Sequence, residues 1–417
     1  MKEKSEKRVL VENFIAVSLT QIITYVFPLI LLPYVSRVLG AEKFGLVYWA
    51  QSIIAYFIVL TEFGFNISAV RDISTNRDNK EKINQIFSSI LFVKFILIII
   101  SLIIFSVLIF VIPKFNNEWM LFYITFIGVI GNAIYPIWYF QGIEHMKYIT
   151  FLNILARTIS LLAIFIFVHK PEDYLLIAFL YSLGNVVAGI IGITLAWQRF
   201  GLRIVLPKLS EIKYQIKYSS EFFLSRIAVT GYTNTNSFVI GLISNPIMVA
   251  YYVAAEKIYY AMNNLSAPIG NVLYPYMAKQ KNIKKYKRIF YPALIFSIFM
   301  VLFMIIFAKY FITIFYGIEM QEAYKVLRIL CIGGLFAFPS ALIGYPLLAA
   351  MGHSKIPNFS VVCSCVFQIT GLILLVKFNY HNIYNVAWMM VGAEFVSLVY
   401  RVWGIKKYKL WRENLND

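Results

Sequence analysis

Charged residues are scarce in this sequence, and their scarcity excludes a water-soluble fold. They make up 14% of the 417 residues, whereas a soluble domain carries about 25%. Hydrophobic residues reach 60%, and runs such as Ile96 to Ile112 contain no charged residue. A run of this kind approaches the ~20 residues that an α-helix needs to cross a bilayer core. The composition therefore predicts a polytopic, all-α membrane protein.

Cysteine and histidine are also rare, which leaves little for redox or metal chemistry. The three cysteines, Cys331, Cys363 and Cys365, all lie in apolar runs, and the four histidines are dispersed. Neither set has the spacing of a disulfide framework or of a metal site. We therefore expect no cofactor and no bound metal, and we interpret the cysteines as small apolar packing residues.

Acidic residues number 20 against 38 lysines and arginines, which gives a formal net charge of +18. In a soluble protein this excess would suggest a nucleic-acid partner. Here the basic residues lie between apolar runs, and they are not interleaved with aromatic residues in a soluble segment. We therefore expect no nucleic-acid partner.

The apolar runs predict about twelve transmembrane helices joined by short turns. The predicted spans are 12–36, 45–65, 86–112, 119–140, 150–169, 174–198, 219–243, 250–277, 289–312, 322–349, 358–378 and 384–405. No connecting loop exceeds about 20 residues by this assignment, which leaves no room for an extramembrane catalytic domain. We therefore expect a transporter and not an enzyme.

The distribution of basic residues predicts the orientation of the chain. Six of them fall in the turns on one side of the membrane: Arg37, Lys43, Lys114, Lys170, Lys309 and Lys377. Most of the others fall on the opposite side, including segment 278–288 and the tail from Arg401 onward. Lysine and arginine concentrate on the cytoplasmic side of membrane proteins. Both termini are therefore predicted to be cytoplasmic.

Short motifs recur at a constant offset of 210 residues. The first set is Tyr135–Pro136, Gln141–Gly142 and Tyr174, and the second is Tyr345–Pro346, Met351–Gly352 and Tyr384. Because this offset is about half the chain, it predicts two six-helix halves with the same topology. Transporters are often built from such parallel repeats, and their substrate path lies between the repeats.

The repeat also predicts the domain organisation. We expect an N-terminal six-helix bundle at 1–200, a cytoplasmic linker at 201–218 and a C-terminal six-helix bundle at 219–417.

Polar side chains within the spans mark candidate cavity linings, because ionisable groups in a bilayer usually face a protected or wet interior. One polar stripe has helical spacing and consists of Arg226, Thr230, Thr233 and Ser237, with Asn234 alongside. A second face consists of Lys257, Asn264 and Asn271 at intervals of seven residues. The alternative for both sets is hydrogen bonding or ion pairing between packed helices.

Other intramembrane charges leave two interpretations open. Arg157 either lines a cavity or extends to lipid headgroups, and Lys94, in uniformly apolar surroundings, is expected to extend to headgroups. The candidate coupling acids are Glu394, Glu256 and Glu62, of which Glu394 is nearest a span centre. A structural ion pair is the alternative for Glu394. Several cations with few acidic partners suit an anionic substrate such as a diphosphate.

Five segments of the chain resemble one family. They are 28–45 (PLILLPYVSRVLGAEKFG), 60–71 (LTEFGFNISAVR), 138–148 (WYFQGIEHMKY), 222–226 (FFLSR) and 252–258 (YVAAEKI). These segments look like those of the Wzx-type O-antigen and polysaccharide flippases, which belong to the multidrug/oligosaccharidyl-lipid/polysaccharide exporter superfamily. The resemblance covers nearly the whole chain in matching order and spacing.

The resemblance implies two six-helix bundles around a central cavity. It also implies movement of undecaprenyl-diphosphate-linked repeat units of O-antigen or another polysaccharide from the cytoplasmic to the periplasmic leaflet of the bacterial inner membrane. Arg37, Arg226 and Lys257 lie in the matching segments, so they are the residues to which the family's cationic lining carries over.

The expected mechanism is alternating access coupled to H⁺ or Na⁺, with membrane lipids, a polysaccharide polymerase and a chain-length regulator as further expected partners. Two rival functions are a cation-coupled drug antiporter of the same superfamily and an integral-membrane glycan polymerase. A basic cavity argues against the antiporter, whose substrates are usually cationic. The short loops argue against the polymerase.

Overall fold

The computed structural model describes residues 6–380 and 382–411, and these ranges form helices and short turns with no strand. Two compact units are present. The first comprises the chain up to Lys43 together with Ala50–Thr230, and the second comprises Phe44–Trp49 together with the chain from Gly231 onward. The predicted domain boundaries at 200 and 219 stay a prediction.

Helices α1 to α8 belong to the first unit, apart from the short part of α1 that groups with the second. Their bounds are Glu6–Glu62 (α1), Phe65–Thr75 (α2), Lys80–Val111 (α3), Pro113–Asn116 (α4), Trp119–Ile134 (α5), Ile137–Gly142 (α6), Met146–Phe167 (α7) and Tyr174–Phe200 (α8). Helix α1 is kinked at Gly40, whose φ of 68° and ψ of 174° suit only glycine. The kink separates the predicted spans 12–36 and 45–65.

Helix α9 (Leu209–Ile243) belongs to the first unit up to Thr230 and to the second unit from Gly231. The other helices of the second unit are Pro246–Asn263 (α10), Ser266–Gln280 (α11), Ile283–Tyr316 (α12), Ala323–Ile343 (α13), Lys355–Lys377 (α14) and Ile383–Lys407 (α15). A π-helical segment, Gly344–Ala349, continues α13.

Helix starts follow from local sequence. Asn79, Asn245, Asn282 and Asn382 each precede a helix, and each side chain accepts a hydrogen bond from the backbone N–H three residues later. This contact satisfies one of the N–H groups that the first helical turn leaves free. Prolines also mark helix starts, since Pro113 and Pro246 are the first residues of α4 and α10.

Nine helical segments of the described ranges are long and apolar enough to cross a membrane. One of these segments, Ile30–Thr75, contains the predicted span 45–65 and the end of the predicted span 12–36, on either side of the kink in α1. The predicted spans at 219–243 and 250–277 fall on α9, α10 and α11, which are less apolar. The all-α fold with about twelve helices is confirmed.

Pro136 separates α5 from α6 in the first unit. The interruption leaves the backbone carbonyl of Ala133 without the hydrogen bond that a continuous helix would provide. Ile137 donates its N–H to the Tyr135 carbonyl, and not to Ala133 four residues earlier, as a continuous helix would require. The Lys94 ammonium of α3 donates to the Ala133 oxygen at 3.1 Å. Lys94 is 2% exposed, so the expectation that it extends to lipid headgroups is wrong.

The second unit repeats this interruption at the predicted offset. Pro346 has no N–H to donate to Leu342 four residues earlier, and the Tyr286 hydroxyl donates to that carbonyl at 3.1 Å. The turns that follow have the same hydrogen bond, at an offset of 208 residues rather than 210. The His145 N–H donates to the Phe140 carbonyl, and the His353 N–H donates to the Leu348 carbonyl, both at 2.9 Å.

Small residues allow close helix contact in the first unit. Helices α5 and α8 pack along their length through Gly128, Gly131 and Gly189. A Cβ added at Gly131 would lie 2.5 Å from the backbone nitrogen of Val186. Such close approach is how small residues bring transmembrane helices together.

Replacing Gly131 with alanine is therefore expected to destabilise the protein by about 1–3 kcal/mol, because the helix backbones must separate. Thermal unfolding of the purified protein in detergent measures the effect. The matched control is G270A in α11, where an added Cβ would meet only Pro346 at 3.4 Å. Equal melting temperatures for the two variants would contradict the packing argument.

Candidate functional site

A polar cavity of about 220 Å³ lies inside the second unit. Its lining comes from six helices, α9, α10, α11, α13, α14 and α15, and consists mainly of hydroxyl, amide and charged side chains, including Tyr232, Tyr260, Asn263, Ser364, Glu394 and Arg401. A water molecule occupies roughly 30 Å³ in the liquid, so the cavity has room for several. A polar space of this kind inside an apolar bundle marks a functional site.

Arg401 holds one wall of the cavity by joining three helices. From α15 its Nε donates to Ser360 Oγ of α14 at 2.8 Å, and its Nη1 donates to the Ser340 carbonyl of α13 at 2.6 Å. Gly344 makes room for the guanidinium, since a Cβ there would lie 2.7 Å from Nη1. The prediction that assigned Arg401 to the cytoplasmic tail is therefore wrong.

Serine hydroxyls extend the same wall. Ser397 Oγ lies 3.2 Å from Ser340 Oγ and 3.5 Å from Ser360 Oγ, and Ser364 Oγ donates to the Ala393 carbonyl at 2.8 Å. All four serines are buried. They give water or a small ion alternative hydrogen-bond partners along the wall.

Glu394 supplies the negative charge of the cavity and is 9% exposed. Its carboxylate accepts a hydrogen bond from the Tyr259 hydroxyl at 3.2 Å, and the Tyr232 side chain contributes a second hydrogen bond. Arg401 lies two helical turns further along α15 and attracts the carboxylate electrostatically. The carboxylate and the guanidinium line the same cavity.

A second buried acid, Glu256, lies on α10 and is 5% exposed. Within the described part of the chain, its Oε1, the Tyr260 hydroxyl and the Asn263 Oδ1 are buried without a hydrogen-bond partner. Tyr260 interacts electrostatically with both Glu256 and Glu394. Buried polar atoms without partners are rare in proteins, and in many cases water or an ion satisfies them.

An amide and hydroxyl network adjoins Glu256. Gln368 donates to Asn236 Oδ1 at 2.8 Å, and Asn236 donates to the Tyr252 hydroxyl at 2.6 Å. The Tyr252 hydroxyl contacts Met390 Sδ at 3.3 Å and interacts electrostatically with Glu256. The interior of the second unit therefore contains a continuous set of polar groups across α9, α10, α14 and α15.

The predicted site residues of the second unit divide between this interior and its surroundings. Glu394 and Asn264 line the cavity, and Glu256 is buried next to Tyr260. Lys257 is half-buried and Asn271 is exposed. Ser237 is buried, whereas Thr233 and Asn234 are half-buried and hydrogen-bond to each other at 2.8 Å.

The predicted residues of the first unit differ in their exposure. Arg37 and Arg226 are exposed, and Thr230 is buried. Arg157 is half-buried, with its guanidinium 5.6 Å from the centre of the Phe27 ring. Glu62 accepts a hydrogen bond from Asn66 at 2.8 Å and interacts electrostatically with Lys94. The functional roles of these residues remain predictions.

Sequence reasoning missed Arg401, Gln368 and Asn236. A signal existed for Arg401, because it lies within the predicted span 384–405 and seven residues after Glu394, which places both on one helix face. Gln368 is an isolated amide in an apolar helix. Asn236 lies one residue before the stripe position Ser237, so spacing alone gave no reason to select it. Within the described residues, no group of His, Cys, Asp and Glu is placed to hold a metal ion.

This chain has the fold of a multi-pass membrane protein. It is similar to a lipid II flippase MurJ in an inward closed conformation, with a TM-score of 0.74 and 15% identity over 94% of this chain and 88% of that one. It is also similar to an inward-facing multidrug resistance MATE family transporter, with a TM-score of 0.70 and 15% identity over 97% and 99% of the two chains.

Residues 10–281 match the family described as polysaccharide biosynthesis protein, and the chain belongs to this family. A candidate O-antigen transporter of Escherichia coli K12 is 32% identical over 263 residues. That match spans 63% of this chain and 63% of the relative, less than two thirds of its length. The predicted resemblance to Wzx-type polysaccharide transporters is confirmed, and the names of these proteins agree with a transporter rather than an enzyme.

The geometry around Arg401 predicts a measurable loss of stability on its removal. Hydrogen bonds to charged groups are worth about 1.5–3 kcal/mol each, so R401M is expected to destabilise the second unit by a few kcal/mol. G344A should have a similar effect, because the added Cβ occupies the position of the guanidinium.

Thermal unfolding in detergent again provides the measurement. R203M is the control, since Arg203 is exposed and its recorded hydrogen bond comes from the backbone. Unchanged stability in both R401M and G344A would show that the Arg401 contacts do not support the fold.

Proposed function

We propose that this protein is a flippase for undecaprenyl-diphosphate-linked repeat units of O-antigen or a related polysaccharide. The observation that carries the proposal is the family match over residues 10–281 on a fold similar to a lipid II flippase. The names of these matched proteins give lipid II and O-antigen as what they move. In the proposed orientation, the termini are cytoplasmic and the units move to the periplasmic leaflet of the inner membrane.

The proposed substrate contacts are the intramembrane cations Arg226, Lys257, Arg157 and Arg37. A diphosphate that leaves water loses hydration, and charge-assisted hydrogen bonds from arginine and lysine offset that loss. The exposure of Arg37 and Arg226 and the half-buried state of Lys257 and Arg157 support this role, since a side chain sequestered in the core could not meet substrate. In this proposal, the lipid tail stays in the bilayer while the diphosphate and the glycan cross the membrane.

The proposed coupling site is the polar cavity with Glu394, together with the neighbouring Glu256. A buried carboxylate that faces a hydrated space can bind and release a proton or Na⁺ as access alternates. Free hydrogen-bonding capacity at Glu256, Tyr260 and Asn263 supports a path by which the cation reaches Glu394. H⁺ and Na⁺ remain alternatives for the coupling ion.

Loss of the two cations in the matching segments is expected to stop export. In a deletion strain, the R226A/K257A variant should restore less than about 1% of the surface glycan restored by the wild-type protein, because two charged contacts of about 1.5–3 kcal/mol each are lost. Lipid-linked single units should accumulate on the cytoplasmic face. Protein abundance in the membrane is measured in parallel.

The charge-preserving variant R226K/K257R is the control and should retain most of the export. Full surface glycan with R226A/K257A would contradict the substrate role. Single units that reach the periplasm without polymerisation would instead indicate a polymerase, and drug resistance on overexpression would indicate an antiporter.

The coupling proposal has its own test. Proteoliposomes with a pH or Na⁺ gradient should translocate lipid-linked oligosaccharide several-fold faster than those without a gradient. The E394Q variant should lose this acceleration and keep the gradient-independent rate, because glutamine preserves the side-chain volume and removes the exchangeable charge. E319Q, at a 3₁₀ turn outside the cavity, is the control. Equal acceleration in E394Q and wild type would refute the role of Glu394.

A further inference from the structure

Ten basic residues gather on the second unit where α11, α12, α14 and α15 begin or end. They are Lys279, Lys281, Lys284, Lys285, Lys287, Arg288, Lys355, Lys406, Lys407 and Lys409. We call this set the basic surface. Lys287 is half-buried and the other nine are exposed. The sequence has no aspartate or glutamate between Glu256 and Glu319, or between Glu322 and Glu394, so segment 278–288 and the start of α14 contain no acidic residue. In the tail, Glu413 and Asp417 follow Lys409.

Aromatic contacts hold the segments of the basic surface together. The Trp411 ring lies 5.5 Å from Phe290 and 6.0 Å from Tyr286 between ring centres, which attaches the end of the described chain to the start of α12. Tyr408 stacks on His353 at 3.8 Å, which attaches the same region to the turn before α14. The cations therefore belong to one surface and not to separate loops.

This arrangement is electrostatically unfavourable in isolation. Lys284 and Arg288 are four residues apart on α12, and like charges at this spacing on a helix repel. Lys284 and Lys285 also lie in the first turn of α12, where the helix dipole disfavours cations. An external anion would remove both penalties.

The basic surface borders the apolar exterior of the helices. On α12 the exposed side chains Ile289, Ile295 and Phe299 follow directly, with 42%, 67% and 64% exposure, and Trp403 on α15 is 46% exposed. Tryptophan is typical of the headgroup level of a bilayer. An anion bound here would be positioned with apolar chains against α12 and α15.

We propose that the basic surface binds the headgroups of anionic phospholipids, such as cardiolipin or phosphatidylglycerol. The ligand chemistry is a phosphate diester attached to acyl chains. Charge complementarity selects the phosphate, and the adjoining apolar helix surface selects a lipid rather than free phosphate. The proposed orientation places this surface at the cytoplasmic leaflet. The binding is independent of the proposed transport substrate.

Purified full-length protein in mild detergent tests the proposal. Its melting temperature is measured against increasing cardiolipin, with phosphatidylethanolamine and inorganic phosphate as comparison ligands. A lysine or arginine near an anionic headgroup contributes roughly a fivefold change in affinity. The K284Q/K285Q/R288Q variant should therefore need on the order of a hundredfold more cardiolipin for half of the stabilisation.

Two further variants make the result specific. K170Q/K309Q/K377Q removes the same charge from exposed lysines elsewhere and should respond like the wild-type protein. K284R/K285R/R288K changes the same three side chains but keeps their charge, and it should also respond like the wild-type protein. This variant still tests the role of charge if the glutamine variant does not fold.

Three results would overturn the proposal. The glutamine variant and the wild-type protein could respond equally, which would leave the basic surface as a determinant of orientation only. K170Q/K309Q/K377Q could lose as much affinity as the glutamine variant, which would indicate attraction to net charge without a defined surface. Inorganic phosphate could stabilise the protein as cardiolipin does, which would indicate a phosphate site without lipid specificity.

Discussion

Backbone carbonyls freed by helix interruptions are the constraint that organises the interior of this protein. In a bilayer, each polar backbone group needs a partner from the protein. Lys94 supplies one to Ala133 in the first unit, and Tyr286 supplies one to Leu342 in the second. Arg401 donates to the Ser340 carbonyl, which also accepts the backbone N–H of Gly344. Polar and charged side chains are therefore structurally required at these depths.

In the second unit, the polar side chains that pair with backbone carbonyls also line a cavity. The guanidinium that holds α13 and α14 to α15 also brings a positive charge to the cavity that Glu394 lines, two helical turns away on the same helix. The surrounding serines, tyrosines and amides keep the space polar, and Glu256 with Tyr260 extends the polar groups along α10. The contacts of Arg401 therefore stabilise the helix bundle, and they also line the polar cavity around Glu394 on which the proposed coupling depends.

Sequence patterns predicted some of these groups and not others, for a clear physical reason. Glu394 and Asn264 stand out as polar residues in apolar runs, and both line the cavity. Lys94 stands out equally, yet its partner is a carbonyl 39 residues away, which no local spacing reveals. Arg401 was assigned to a tail because a cation near a span end usually extends to headgroups. Its partners on α13 and α14 become evident only when those helices pack.

The sequence by itself determined the membrane class, about twelve helices, the internal repeat and the family, because apolar length, the Tyr-Pro interruptions and segment order are properties of the chain. Tertiary structure decided which polar residues share a space. The spacing of residues on one helix identifies only the side chains of that helix. The cavity is lined by residues from six helices, and these include Tyr232 and Ser364, which spacing did not single out. The physical reason is that a buried polar group is defined by its partners, and those partners come from distant parts of the chain.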